Sequence, residues 1–159
     1  MFSPADYAYM SHALRLAEKG LYSTAPNPRV GCVLVRNEQI VGSGWHEKAG
    51  QPHAEINALN NARAAARGAT AYVTLEPCGH FGRTPPCVSA LIAAGIANVI
   101  IAMEDPNPIV SGRGKALLEQ SGIAVQTGLL EAEARALNVG FITRMVDKKP
   151  WVRLKTAVS

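Results

Sequence analysis

Two short segments of the chain carry side chains that can bind a metal ion only if the fold brings them together. One is His53-Ala54-Glu55, and the other runs from Glu76 to Cys87 with a further cysteine at Cys78. Together they supply one imidazole, two thiols and the carboxylate of Glu55. Neutral histidine and cysteine thiolate are good zinc ligands, and three protein ligands leave a fourth position for water. The pattern therefore predicts a fold in which His53, Cys78 and Cys87 converge on one zinc ion.

Glu55 is the residue that we expect to move protons beside that metal. A helix is predicted from about His53 to Arg67, and residues two apart on a helix do not face each other. His53 and Glu55 can therefore share a site only beyond the N-terminal end of that helix, where free backbone N–H groups also lie. Without the cysteine pair downstream, an exposed first helical turn would be the better interpretation.

Two other side chains compete for the role of ligand. His80 stands in the middle of the loop between the two cysteines, which makes it the less favoured candidate. Cys32 lies within an apolar strand and is interpreted as a small core residue. Cys87, in contrast, falls in the first turn of a predicted helix, where the helix dipole favours a thiolate.

The segments also carry a resemblance to a known family. His-x-Glu followed by Pro-Cys is similar to the zinc-deaminase signature, although eight residues and not two separate Cys78 from Cys87. The long form of the loop, Pro-Cys-x-His-x-Gly-Arg-Thr-Pro-Pro-Cys after Thr-Leu-Glu, resembles the riboflavin-biosynthesis pyrimidine deaminases, the N-terminal half of a bifunctional deaminase–reductase. The likeness extends to residues 26–31, 44–46, 105–108 and 112–114, so it spans nearly the whole chain.

This resemblance implies a fold, a reaction and a set of site residues. The fold would be the three-layer α/β/α fold of cytidine deaminase-like enzymes. The reaction would be the zinc-dependent hydrolytic deamination of 2,5-diamino-6-ribosylamino-4(3H)-pyrimidinone 5′-phosphate, with release of ammonia. Glu55 would be the catalytic residue on this account. Candidate contacts to this small-molecule ribotide and its phosphate are Asn27, His46, Arg83 and Asn107.

The order of predicted elements agrees with a mixed sheet of five strands covered on both faces. A helix capped by Ser3 buries Tyr7, Met10, Leu14 and Ala17 and ends near Gly20. Strands are expected at residues 30–35, 39–44, 70–75, 98–103 and 123–127, the first two forming a hairpin. Further helices are expected at residues 88–94 and 113–120, and one unbroken amphipathic helix from Glu131 to Met145.

Composition narrows the class of protein. The chain has 159 residues, of which 48% are hydrophobic, and fits one folded domain. No apolar run approaches the ~20 residues that span a bilayer, so no membrane association is expected. The net charge of +4 comes from scattered residues and not from a basic stripe, which argues against a nucleic-acid partner. Three cysteines, two of them in a metal pattern, favour a reducing compartment, and we expect the cytoplasm.

The C-terminal residues suggest a second domain. We expect residues 1–146 to be the deaminase domain, and residues 147–159 to be a linker and the first strand of a reductase domain that the chain lacks. By resemblance, NADPH would bind only to that absent domain, with Ala157 near it. The chain alone is expected to deaminate and not to reduce. A homo-oligomer is expected because this fold commonly assembles through its helices.

Two alternatives remain at this point. The same chemistry could act on a base within a nucleic acid, as in tRNA adenosine deaminases. The zinc could instead be structural, with Glu55 or His80 as a fourth ligand that closes the coordination shell.

Overall fold

The computed structural model describes residues 1–79, 86–108 and 110–157. The strands are β1 (Gly31–Arg36), β2 (Gln39–Trp45), β3 (Thr70–Leu75), β4 (Asn98–Met103) and β5 (Ala124–Thr127). The helices are α1 (Pro4–Glu18), α2 (Ala54–Ala62), α3 (Cys87–Ala93), α4 (Arg113–Gln120), α5 (Glu131–Leu137) and α6 (Val139–Val146), and a 3-10 turn, Arg63–Ala66, follows α2.

The five strands form one mixed sheet in the order β2-β1-β3-β4-β5. β1 runs antiparallel to both β2 and β3, whereas β3, β4 and β5 run parallel to one another. Asn37 and Glu38 join β1 to β2 with φ angles of 50° and 61°, as a tight two-residue hairpin turn requires. The predicted hairpin and the predicted mixed sheet are therefore confirmed.

Helices cover both faces of this sheet. α1 packs against β1 and β3 and α5 against β4, while α2 packs against β1 and β2, and α4 against β5. Two of these helices approach the sheet so closely that only glycine fits beneath them. A Cβ at Gly31 would collide with the carbonyl oxygen of Ala13 in α1, and one at Gly44 would lie 2.6 Å from the Ala58 nitrogen in α2. The structure thus has the three-layer architecture expected from the sequence.

The first helix is capped as predicted, and three of its four predicted core residues, Met10, Leu14 and Ala17, are buried. The Ser3 hydroxyl accepts the N–H of Asp6, and the Asp6 carboxylate accepts the N–H of Ser3, which is a complete capping box. Tyr7 is 47% exposed, so its assignment to the core was wrong. Ala13 and Leu16 are buried instead, because the helix lies on the sheet along a face rotated away from Tyr7.

Two predicted helices are interrupted. The helix that begins after His53 ends at Ala62, where Arg63 has a φ angle of 51° and the chain continues as a 3-10 turn. The single helix expected from Glu131 to Met145 is split into α5 and α6 at Asn138. The side chain of Asn138 accepts the N–H of Arg29 at 2.8 Å and donates to the carbonyl of Arg29 at 2.9 Å. This pair of bonds fastens the helix break to the segment that precedes β1.

The topology brings four loops to one edge of the sheet. β3 and β4 end at this edge, β2 also ends there, and β1 begins there because it is antiparallel to β2 and β3. The described residues of four segments, 24–30, 46–53, 76–79 and 104–108 with 110–112, therefore meet although they are far apart in sequence. In open α/β sheets, ligands bind outside the carboxyl ends of the strands.

The C-terminal segment stands apart from these layers. Residues 151–157 have neither helix nor strand, and the side chains of Trp151, Val152 and Leu154 are at least half exposed. Within the described ranges, no helix combines the length and the apolar character that crossing a bilayer would need.

Candidate active site

Three side chains that can bind a metal lie together at this edge. His53 is the residue immediately before α2, Cys78 follows β3, and Cys87 is the first residue of α3. Their ligand atoms all lie within 4.8 Å of one another. His53 Nδ1 is 3.2 Å from the sulfur of Cys87 and 3.7 Å from that of Cys78. The two sequence segments singled out above therefore converge.

Hydrogen bonds among these three groups shift their pKa values in the protein chain without a metal. A hydrogen bond from the thiol of Cys87 lowers the pKa of Cys78 and raises the pKa of Cys87, so Cys78 is the first to become a thiolate. The backbone N–H of Cys87 also donates to the Cys78 sulfur, at 3.2 Å. The hydrogen bond with Cys78 raises the pKa of His53. One half-buried imidazole, one half-buried thiol and one buried thiol are a donor set that fits zinc and leaves a coordination position open.

Glu55 lies beside this group in the first turn of α2. Its side chain is only 3% exposed, and burial raises the pKa of its carboxyl to about 7 in the protein chain alone. A negative charge on Cys78 raises this pKa further, while the backbone N–H of Glu55 lowers it. We call His53, Glu55, Cys78 and Cys87 the metal wall.

A cavity of about 260 Å³ opens in front of the metal wall. Polar groups line it from several loops, among them Asn27, His46, Glu76, Asp105 and Asn107. Apolar side chains close the remaining sides, namely Val30, Leu75, Val110, Phe141 and Met145. The cavity thus combines an apolar lining with convergent polar groups, as small-molecule sites do.

Asn27 and His46 form one hydrogen-bonded unit in this lining. His46 Nδ1 lies 3.1 Å from the carbonyl oxygen of Pro52, which can only accept, so Nδ1 carries the proton. Nε2 then accepts from the amide nitrogen of Asn27, at 3.1 Å. Burial, together with the nearby His53, lowers the pKa of His46 and keeps the ring neutral. The ring is therefore held in one tautomer and one orientation, 5.4 Å from the ring of His53.

The opposite side of the cavity comes from α6 and was not predicted. Phe141 and Met145, four residues apart, were assigned to a core face, and their spacing is the only sequence signal they give. Arg144, on the same helix, donates to the carbonyl oxygen of Pro26 at 2.9 Å and so ties α6 to the loop that carries Asn27. We call Asn27, His46, Asn107, Phe141 and Met145 the substrate wall.

Other candidate residues have different positions. Cys32 is fully buried in β1, where burial raises the pKa of its thiol, and it is not part of the metal-binding group. Ala157 is an exposed residue of the C-terminal segment. His80 and Arg83 lie outside the described residues.

Comparison with known proteins gives a consistent result. The family model of the cytidine and deoxycytidylate deaminase zinc-binding region matches residues 3–103, well over half of the chain. The riboflavin biosynthesis protein RibD of Escherichia coli is 56% identical over 97% of this chain, which spans only 42% of that relative's length. The diaminohydroxyphosphoribosylamino-pyrimidine deaminase of Buchnera aphidicola is also 56% identical, and there the match covers 88% of this chain and 95% of the relative.

A solved structure has the same fold. RibD of Acinetobacter baumannii superposes with a TM-score of 0.87 at 54% identity, over 89% of this chain and 40% of that one.

Proposed function

Because the chain belongs to the cytidine and deoxycytidylate deaminase zinc-binding family, we propose that it catalyses the hydrolytic deamination of a diaminopyrimidine ribotide. The substrate is 2,5-diamino-6-ribosylamino-4(3H)-pyrimidinone 5′-phosphate, and the step belongs to riboflavin biosynthesis. The match to the Buchnera deaminase supports this substrate, since it extends over nearly that whole protein.

One observation carries the proposal. Two of the three candidate metal ligands, His53 and Cys78, and the buried carboxylate of Glu55 line a cavity of about 260 Å³, which is large enough for a pyrimidine ring. Among the described residues, the metal-binding group contains three ligands and does not include Glu55. Three ligands leave room for water and substrate, which favours a catalytic zinc over a structural one.

The chain's own residues supply the proton chemistry. His53, Cys78 and Cys87 would hold zinc, which as a Lewis acid makes water acidic enough to lose a proton near neutral pH. Glu55 takes that proton as the oxygen bonds to the ring carbon that carries the amino group. The same carboxyl gives this proton to the ring nitrogen, then takes the second proton of the added water from the new hydroxyl and passes it to the amine, so the C–N bond breaks, ammonia leaves and a carbonyl remains. General acid–base help of this kind contributes ~10² to 10⁴-fold.

The substrate wall would orient the ring and the ribose phosphate. His46 and Asn27 hold each other in place, so the remaining hydrogen-bonding atoms of Asn27 can be directed at the substrate. Phe141 offers an aromatic surface beside the ring. Arg83 remains the cation that we propose for the phosphate, and Asn107 would donate a hydrogen bond nearby.

Choice of substrate provides the test. We expect ammonia release from the ribotide by the zinc-loaded chain, and much slower release from the same molecule without its phosphate. An RNA hairpin with an unpaired adenosine should not be deaminated. If RNA is the better substrate, the nucleic-acid alternative is correct and the proposed substrate is wrong.

We further propose that residues 1–146 form the deaminase domain and that 147–159 begin a second, reductase domain. The length of the bifunctional relative supports this division, because this chain spans less than half of it. The exposed segment around Ala157 would then bind NADPH only within a complete second domain. Calorimetric titration of the 159-residue chain with NADPH should show no binding, and micromolar affinity would contradict the division. A homo-oligomer and a cytoplasmic location remain predictions.

A further inference from the structure

Glu76 is a buried carboxylate for which the proposed reaction has no use. It follows β3 directly, is 5% exposed and lines the cavity between the metal wall and Asn107. Its own N–H donates to the carbonyl of Met103 at 3.0 Å, which continues the pairing of β3 with β4. Burial of an ionised carboxylate is expensive unless hydrogen bonds compensate, so its partners indicate its role.

Those partners are four backbone N–H groups of one segment. Oε2 accepts from Asp105 at 3.1 Å and from Gly112 at 3.0 Å. Oε1 accepts from Gly114 at 2.9 Å and from Lys115 at 3.2 Å. The last two belong to the first turn of α4, whose N–H groups have no partner within the helix. One side chain therefore fastens both ends of the stretch that contains Asn107.

The metal-ligand loop packs against the same turn. A Cβ at Gly114 would collide with the carbonyl oxygen of Pro77, and one at Gly79 would lie 2.9 Å from Cδ1 of Leu117. Pro77 and Gly79 are the immediate neighbours of Cys78. The loop that carries Cys78 and the N-terminal part of α4, which follows the segment that carries Asn107, are thus in direct contact. Glu76 is bonded to the same part of α4.

We propose that Glu76 is a positioning residue that holds Asp105 and Gly112 in place, and with them Asn107, over the metal wall. The expected effect on substrate binding rests on the proposed function, whereas the positioning of these residues by Glu76 does not. Only a carboxylate meets the requirement, because it offers two oxygens with about four acceptor sites and no hydrogen. A glutamine would direct its NH₂ group at two N–H donors, and an aspartate would be one methylene too short to reach all four.

The first test separates positioning from catalysis. In the zinc-loaded chain, Glu76→Gln should raise KM by about tenfold or more while kcat changes less than about threefold. Zinc should remain stoichiometric. The matched control is Thr74→Val in β3, the strand that Glu76 follows. It removes another buried side-chain acceptor, which accepts the backbone N–H of Gly31 at 3.1 Å. The control should lose stability without a change in KM. An unchanged KM in Glu76→Gln, or a parallel loss of kcat and zinc, would overturn the proposal.

The second test needs no substrate. Amide hydrogen exchange measured residue by residue should accelerate at Asp105, Gly112, Gly114 and Lys115 in Glu76→Gln, and not in Thr74→Val. Unchanged protection at these four amides would overturn the proposal even if the wild-type chain proves to act on another substrate. If Glu76→Gln does not fold, Glu76→Asp takes its place, with an intermediate rise in KM and faster exchange at a subset of the four amides.

Discussion

The metal wall and the substrate wall meet at one cavity but are held in place in different ways. Each residue of the metal wall sits next to the end of a strand or helix: His53 precedes α2, Cys78 follows β3 and Cys87 begins α3. Two supports of the substrate wall are instead hydrogen bonds between residues more than 100 positions apart, Asn138 to Arg29 and Arg144 to Pro26. We therefore expect the proposed reaction chemistry to depend on residues at the ends of strands and helices, and the proposed substrate recognition to depend more on these long-range bonds.

If this contrast is correct, damage to the metal wall should abolish chemistry, and damage to the supports of the substrate wall should weaken binding. The largest effect is expected for Cys87→Ser. It removes one of three ligands, so the protein should lose most of its zinc and its activity, as measured by metal analysis and ammonia release.

Cys32→Ser is the matched control, because Cys32 is a buried cysteine of β1 outside the metal-binding group. It should keep one zinc per chain, with a cost limited to stability. Full zinc retention in Cys87→Ser would instead move the third ligand to another residue, and His80 is the candidate.

The next largest effect separates proton transfer from metal binding. Glu55→Gln keeps the shape of the side chain and removes the base. Zinc should remain bound while kcat falls toward the upper end of the ~10² to 10⁴-fold range, because Glu55 handles several proton transfers. Turnover near the wild-type rate in a zinc-loaded Glu55→Gln protein would assign the proton transfers to another group.

A smaller effect is expected where the substrate wall is anchored. Asn138→Ala removes both bonds to the backbone of Arg29 and leaves buried groups without partners, which should cost about 1–3 kcal/mol of stability. KM should rise because the segment that carries Asn27 loses its support, while zinc content stays the same. Urea unfolding and steady-state kinetics measure the two effects.

Asn98→Ala is the control for this variant, since its amide makes an exposed bond to Thr70 far from the cavity. Its stability should change by no more than about 0.5 kcal/mol, with KM unaffected. If Asn138→Ala and Asn98→Ala changed KM equally, the bonds of Asn138 would not be a specific support of the substrate wall.

The same contrast explains which features the sequence could predict. β3 and β4 were placed at their observed bounds, because each is a short run of β-forming residues between turn residues. The convergence of His53 with the two cysteines was also predicted, because one imidazole and two thiols in this pattern are typical of a zinc site. The assignment of individual ligands and substrate contacts stays a prediction.

The features that could not be predicted depend on contacts with residues that are distant in the sequence. Asn138 breaks a helix whose apolar spacing continues through it, and the reason is the backbone of Arg29. Phe141 and Met145 have the spacing of core residues and line the cavity only because α6 is turned at Asn138. Glu76 gave no signal either, because its four partners come from a segment that begins almost thirty residues later.

If a zinc-dependent deaminase site lies between the two walls, the release of ammonia must depend on zinc. Ammonia release from the diaminopyrimidine ribotide should be followed for the zinc-loaded chain, for the chain stripped by a chelator, and for the stripped chain given one equivalent of zinc. We expect stripping to lower the rate by more than about a hundredfold and zinc to restore it. Release that survives stripping, or that is absent from the zinc-loaded chain, would contradict the account.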